Sequence, residues 1–67
     1  MIRVLRVMGK GLYLRGDGSR TRKFAEAFNF PDIGAAIDFC RHHGCQGLEL
    51  MLFVQGAQTL TIPMGDV

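Results

Sequence analysis

Apolar and polar positions alternate in two stretches near the start of the chain. Residues 2–8 are rich in valine, isoleucine and leucine, a glycine-lysine-glycine turn follows at 9–11, and the alternation resumes over 12–15. This pattern predicts two strands of a hairpin. A short third strand over 20–24 is compatible with the sequence, while residues 25–28 fit either an extension of that strand or a helical turn.

The middle of the chain changes to a helical period. Asp32, or Pro31 before it, starts a pattern that runs to Gly44, and an acidic residue at this end favours the positive end of the helix dipole. At 100° per residue one face of this helix collects four apolar side chains, those of Ile33, Ala36, Ile37 and Cys40. The sequence therefore predicts an amphipathic helix that packs on a sheet.

Two further strands follow the helix. Residues 48–54 form a strong strand, and 59–62 alternate after a turn at 55–58. Met51 and Phe53 fall on the face opposite Leu48, Leu50 and Leu52, where a half-solvated antiparallel sheet is normally polar. We expect a second copy of the chain to cover Met51 and Phe53, which makes them the predicted interface of a homodimer formed through strand 48–54 or its neighbour.

Together these elements predict an α+β fold of order β-β-(β)-α-β-β. One amphipathic helix would lie across one face of a mainly antiparallel sheet, and residues 1–67 would form a single domain. From residue 13 to 54 the chain also has a glycine turn, an Ala-x-x-Phe step at 27–30 and an alanine-bearing helix over 35–40. In this it resembles a loose group of small, mostly uncharacterised bacterial and archaeal domains. The resemblance implies the same fold and supplies no catalytic residue.

Composition agrees with one small folded domain. The chain has 67 residues, of which 48% are hydrophobic and 21% charged. No apolar run approaches the roughly 20 residues of a membrane span. Arg3 and Arg6 interrupt the first residues, which therefore do not resemble a secretory signal. The sequence predicts a cytoplasmic protein without membrane association.

Both cysteines and both histidines fall within residues 40–45, Cys-Arg-His-His-Gly-Cys. Adjacent helical residues point about 100° apart, so His42 and His43 cannot both join Cys40 at one metal ion. Cys40, His43 and Cys45 with a carboxylate or water is the best monomeric metal set, and it lacks the usual zinc spacing. A redox pair would place its thiols at a helix start, where the dipole stabilises thiolate. We expect the end of a helix, reduced and free of metal.

The remaining motifs supply no catalytic chemistry. The glycines at 16–18 follow the spacing of no phosphate-binding loop, and Asp17 stands where such a loop needs lysine. Ser19 lacks a histidine in a triad position, and the carboxylates are scattered singly. The sequence predicts no catalytic residue, no cofactor and no enzymatic activity.

Charge is distributed unevenly along the chain. Residues 1–23 contain seven of the eight Lys and Arg residues against Asp17 alone, a net charge of +6, whereas residues 24–67 carry −4. Six of these basic residues are candidates for contacts with phosphate groups: Arg3, Arg6, Arg15, Arg20, Arg22 and Lys23. A basic strand edge is also a common protection against edge-to-edge aggregation. Two function classes therefore stay open, a non-enzymatic protein-binding or assembly module, which we prefer, and a nucleic-acid-binding accessory protein.

Overall fold

The computed structural model describes residues 1–44 and 46–65 and confirms the predicted α+β fold. Its elements in chain order are β1 (Ile2–Val7), β2 (Leu12–Leu14), β3 (Arg20–Thr21), a 3₁₀ turn (Phe24–Glu26), α1 (Ile33–His43), β4 (Leu48–Val54) and β5 (Ala57–Pro63). The five strands form one antiparallel sheet in the order β3-β2-β1-β4-β5. Within the described residues no helix is long and apolar enough to cross a membrane.

The helix begins and ends where the sequence predicts. The Asp32 carboxylate accepts a hydrogen bond from the Ala35 amide at 2.8 Å, which caps the helix start. Gly44 follows the last helical residue with φ +89°, a conformation that glycine adopts without strain. Its ψ of 145° differs from the left-handed helical cap that the sequence suggests.

The core lies between α1 and one face of the sheet. Leu5 of β1 and Leu50 of β4 lie directly opposite each other and are fully buried, and the helix contributes Ala36 and Cys40 to the same cluster. Met64, which follows β5, is also buried there. The predicted helix face is correct except at Ile33, which is largely exposed in the first turn.

The segment between β2 and α1 differs most from the sequence prediction. The third strand is only two residues long. Of the two structures that the sequence leaves open at 25–28, the helical turn is found, as a 3₁₀ turn over Phe24–Glu26. Arg3 joins this segment to the sheet, because its Nη1 donates to the Pro31 carbonyl at 2.7 Å and its carbonyl accepts from the Phe30 amide at 2.8 Å. Gly18 approaches the end of α1 so closely that a Cβ atom there would lie 2.7 Å from His43 Nδ1.

The β4–β5 hairpin is tighter than the turn over 55–58 that the sequence predicts. Gln55 and Gly56 are its only loop residues, and both have positive φ, at 55° and 82°. Positive φ at both loop positions is typical of two-residue hairpins, because it matches the right-handed twist of the strands. A register shift opposite Leu52 and Phe53 lets β5 extend from Ala57 to Pro63.

Candidate functional site

We call the face of the sheet that points away from α1 the second face. It combines apolar and charged side chains. The antiparallel register places Ile2, Val4 and Arg6 of β1 beside Phe53, Met51 and Glu49 of β4. Tyr13 of β2 lies opposite Arg6, and Gln58 of β5 lies opposite Phe53. As the alternation predicts, Met51 and Phe53 therefore share a face that the helix does not cover.

The chain covers part of this face itself. The Phe24 ring, from the 3₁₀ turn, makes edge-to-face contacts with Tyr13 at 5.5 Å and Phe53 at 5.1 Å between ring centroids. Beneath this cluster Met51 is only 2% exposed. The premise that Met51 would be left in water without a second copy is therefore wrong, because side chains of the same chain bury it. Phe53 is half-buried.

A polar network fixes the turn that carries Phe24. The Glu26 carboxylate accepts hydrogen bonds from the Thr21 hydroxyl at 2.6 Å and from Arg15 Nη2 at 2.7 Å. The first of these bonds, together with the Arg15 contact, lowers the pKa of Glu26 from its ordinary value. The Lys23 amide donates to the Thr21 hydroxyl at 3.1 Å. The network ties β2, β3 and the 3₁₀ turn together and holds Phe24 over the sheet.

Replacement of Phe24 by alanine is expected to lower the free energy of unfolding by about 1–3 kcal/mol, less than for a fully buried phenylalanine. The variant loses both ring contacts and opens the second face above Met51, so binding of a hydrophobic dye should rise. Urea denaturation and dye fluorescence measure the two effects. Phe28→Ala is the matched control, because Phe28 is similarly exposed but packs against Phe30 on the other side. Equal dye binding by both variants would show that Phe24 does not cover the second face.

One ion pair lies within this face. Arg6 donates from Nε to Glu49 Oε2 at 2.7 Å, and its Nη2 lies 2.6 Å from the same oxygen. The Glu49 side chain is 11% exposed and that of Arg6 is 30% exposed. A nearly buried carboxylate needs such a partner, since its desolvation is otherwise uncompensated.

A cavity of about 320 Å³ opens on the second face between the 3₁₀ turn and the β4–β5 hairpin. Its lining combines aliphatic and aromatic side chains with three polar ones and comprises Ile2, Arg6, Tyr13, Phe24, Met51, Phe53, Gly56 and Gln58. Sequence reasoning assigned Phe53 and Met51 to this region but missed Phe24 and Tyr13. For the ion pair between Arg6 and Glu49, the opposite charges of the two residues were the signal available in the sequence.

The two edges of the sheet differ in length and charge. β3 is two residues long, contains Arg20, and is followed by Arg22 and Lys23. β5 has seven residues and no charged side chain, and all of them are exposed except the half-buried Thr61 and Ile62. Leu60, at the centre of β5, is 52% exposed. A long, uncharged edge strand presents unpaired backbone groups that can pair with another strand.

The six basic residues proposed for phosphate contacts divide into two groups. Arg3, Arg6 and Arg15 bind partners within the chain, through Pro31, Glu49 and Glu26 respectively. The side chains of Arg20, Arg22 and Lys23 are exposed, and none forms an ion pair with a residue that the structure describes. The structure therefore leaves a basic cluster of three at the β3 edge.

The two histidines at the helix end point to different surroundings. His42 Nδ1 lies 3.0 Å from the Asp38 carbonyl, while the His43 ring packs on Phe39 with centroids 4.3 Å apart. Cys40 is buried in the core. Among residues 1–44 and 46–65, no group of three His, Cys, Asp or Glu side chains is placed to hold a metal ion. Cys45, the other member of the candidate metal set, lies outside the described residues.

Comparisons of the chain with models of known families, with curated proteins and with solved structures find no match.

Proposed function

We propose that the chain is a small, non-enzymatic, cytoplasmic binding or assembly module that acts as a homodimer joined through the edge of β5. The observation on which this depends is the contrast between the two sheet edges. β3 is short and adjoins three cationic side chains, whereas β5 is seven residues long and uncharged. Proteins commonly protect their edge strands against pairing with charge, short length, proline or a bulge. β5 is long and uncharged, and its protections are Pro63 at its end and the register shift opposite Leu52 and Phe53.

The strand order favours β5 over β4 as the interface. β4 pairs with β1 on one side and with β5 on the other, so its backbone has no open edge. Two antiparallel copies of β5 related by a two-fold axis would extend the sheet across both chains, which is the self-complementary arrangement typical of homodimers. Phe53 lies one strand inside this edge, and Met51, already buried, would add little to the contact.

Leu60 supplies apolar area at the same edge. It lies opposite Leu52 and is therefore on the helix side of the sheet, yet it is about half exposed. Each Å² of apolar surface removed from water contributes about 25 cal/mol, so contact between the two copies of Leu60 would add to backbone pairing. A chain of this size has a small core, and association is one common way to stabilise it.

The non-enzymatic part of the proposal is supported by the surroundings of the histidines. In the part of the chain that the structure describes, no hydrogen bond joins a histidine to a serine or to a carboxylate side chain. A general base must lie within hydrogen-bond reach of the group it activates, directly or through one water. A binding role requires no such pairing.

Replacement of Leu60 by lysine is expected to convert the dimer to a monomer. The wild-type protein at micromolar concentration should sediment with about twice the 7.4 kDa chain mass. The variant should sediment near the mass of one chain, because a lysine at the centre of the edge strand places like charges against each other across the two-fold axis. We expect the dissociation constant to rise by about tenfold or more.

Met8→Lys is the matched control for this experiment. Met8 is 43% exposed and lies in the turn after β1, so the substitution makes the same chemical change away from β5. It should leave the dimer intact. Dissociation caused equally by both lysines would indicate a net-charge effect, and a monomeric wild-type protein would contradict the proposal itself.

Nucleic-acid binding is a second candidate function, and the basic cluster of Arg20, Arg22 and Lys23 is the observation that favours it. Lys23 directly precedes the exposed Phe24 in the chain, and aromatic rings beside cationic groups are typical of single-strand binding. Anisotropy titrations with a single-stranded oligonucleotide at low and high salt test it. Three phosphate contacts would give a log-log salt slope of about −2. The preferred function predicts no binding even at low salt, and strong salt-sensitive binding would favour the second candidate.

A further inference from the structure

We propose that the cavity on the second face binds a small planar aromatic anion, with its ring against Phe24 and Phe53 and its acidic group on Arg6. This site goes beyond the proposed dimer and does not depend on it. The cavity lies on a face of the sheet, and of its lining residues Gln58 alone belongs to β5.

The size of the cavity limits the ligand to a small molecule. Its volume of about 320 Å³ lies near the lower end of the range for ligand pockets, about 300–1,000 Å³. The floor is apolar, since Met51 is buried and Ile2 is half-buried beside it. Burial of a ligand on such a floor is driven by the removal of apolar surface from water.

The walls favour a flat ring. Phe24 contacts Tyr13 and Phe53 edge to face, with interplanar angles of 87° and 71°, so the three rings present differently oriented surfaces around one space. Aromatic rings interact well with another ring in edge-to-face or offset-stacked geometry. Phe24 is partly exposed and Phe53 half-buried, so both retain accessible surface.

The polar groups favour a negative charge. Arg6 lines the cavity and Glu49, its ion-pair partner, does not. Arg6 uses Nε and Nη2 on Glu49, while its Nη1 donates to no acceptor among residues 1–44 and 46–65. The Tyr13 hydroxyl likewise makes no hydrogen bond to a described residue. A guanidinium with spare N–H groups is the preferred protein partner of a carboxylate.

The wider electrostatic field acts in the same direction. Arg22 and Lys23 directly precede Phe24, which lines the cavity, and neither forms an ion pair with a described residue, whereas Glu49 balances the charge of Arg6. Glu26, the nearest acidic residue along the chain, is already bound by Arg15 and Thr21. Cationic groups around a cleft attract anionic ligands and repel cations, which disfavours an aromatic-cage site for an ammonium group.

Titration of ¹⁵N-labelled protein with 2-naphthoate, followed by NMR, tests this site. The expected shifts are confined to the cavity, at the amides of Phe24, Phe53 and Gln58 and at Arg6 Nε. Naphthalen-2-ylmethanol is the matched neutral probe, because it keeps the ring and removes the charge. We expect it to bind about tenfold more weakly than 2-naphthoate. Equal affinity for the two probes would overturn the proposed role of Arg6.

Charge changes at the rim of the cavity provide variants that leave the core intact. Gln58 is exposed, so Gln58→Glu should weaken 2-naphthoate binding by about threefold to tenfold and Gln58→Lys should strengthen it. Because Gln58 lies in β5, the sedimentation of both variants is measured beside their affinity, and the opposite effects of the two charges on binding distinguish the site from a loss of the dimer. Gln46→Glu makes the same change outside the cavity and should alter binding by less than about twofold. The paired variant Arg6→Gln/Glu49→Gln should abolish the preference for the anion over the alcohol.

Three results would overturn the proposal. The first is shifts spread over exposed apolar residues elsewhere, such as Phe28, which would indicate non-specific adsorption of the ring. The second is an equal loss of affinity in Gln58→Glu and Gln46→Glu. The third is the absence of any shift at the cavity with 2-naphthoate. If a single-stranded oligonucleotide shifts Arg20, Arg22 and Lys23 instead, this side of the molecule is assigned to nucleic acid.

Discussion

Replacing Arg6 with methionine is expected to lower the free energy of unfolding by about 2–4 kcal/mol. Removal of the guanidinium leaves the Glu49 carboxylate with its side chain only 11% exposed and without its counter-charge. Breaking a buried pair on one side typically costs about 3–5 kcal/mol, and the partial exposure of Arg6 reduces that figure. At about 0.05–0.15 kcal/mol per residue a domain of 67 residues has a total stability of roughly 3–10 kcal/mol, so this loss is a large fraction of it and the midpoint of urea denaturation should fall sharply.

The double variant Arg6→Met/Glu49→Met separates this cause from a loss of packing. Replacement of both partners by apolar side chains of similar volume removes the uncompensated charge and should restore stability to within about 1 kcal/mol of wild type. Arg20→Met is the control for loss of a cation, because Arg20 is exposed and forms no ion pair with a described residue. A double variant as unstable as Arg6→Met alone would show that the unpaired Glu49 carboxylate does not cause the destabilisation.

Leu50→Ala is expected to destabilise the protein by about 2–5 kcal/mol. Leu50 is fully buried at the centre of β4, between Leu5 of β1 and Ile62 of β5, and it belongs to the cluster beneath α1. Removal of its side chain leaves a cavity that three packed elements border, and a core this small has few other contacts to compensate. Circular dichroism during urea denaturation measures the change.

Leu60→Ala is the comparison for this prediction. It removes the same atoms from the neighbouring strand at a site that is about half exposed. We expect a cost below about 1 kcal/mol to the folded chain, because less apolar surface returns to water. Similar losses for Leu50→Ala and Leu60→Ala would contradict the assignment of Leu50 to the core and of Leu60 to its exposed margin.

Local pattern was sufficient to predict the helix and β4. Asp32 and the glycine after His43 mark the two ends of α1, and a run of apolar residues broken only by Glu49 and ended by the turn at Gln55 marks β4 at Leu48–Val54, the bounds that the sequence predicts. β5 starts earlier than predicted, because Gln55 adopts a positive φ and allows a two-residue hairpin. A positive φ is uncommon outside glycine, asparagine and aspartate, so the residue type at position 55 gave no reason to expect one.

The contacts on the second face were harder to predict, because the residues that form them are far apart along the chain. Alternation correctly places Met51 and Phe53 on the face opposite the helix, but it does not reveal that Phe24 returns over them from a 3₁₀ turn. In the same way, Arg6 and Glu49 are 43 residues apart, and their contact depends on β1 lying beside β4. Strand order is a tertiary property, so local periodicity could not assign either contact.

The exchange rates of the β5 amides test the central claim, association through the β5 edge, most directly. In an antiparallel edge strand alternate N–H groups point away from the neighbouring strand, and in an isolated chain these would face water. The account predicts that these amides exchange slowly at concentrations where the dimer forms and faster on dilution, while exchange at the exposed residues Arg20 and Arg22, in and beside β3, does not change. Fast exchange of the outward β5 amides at every concentration would contradict it.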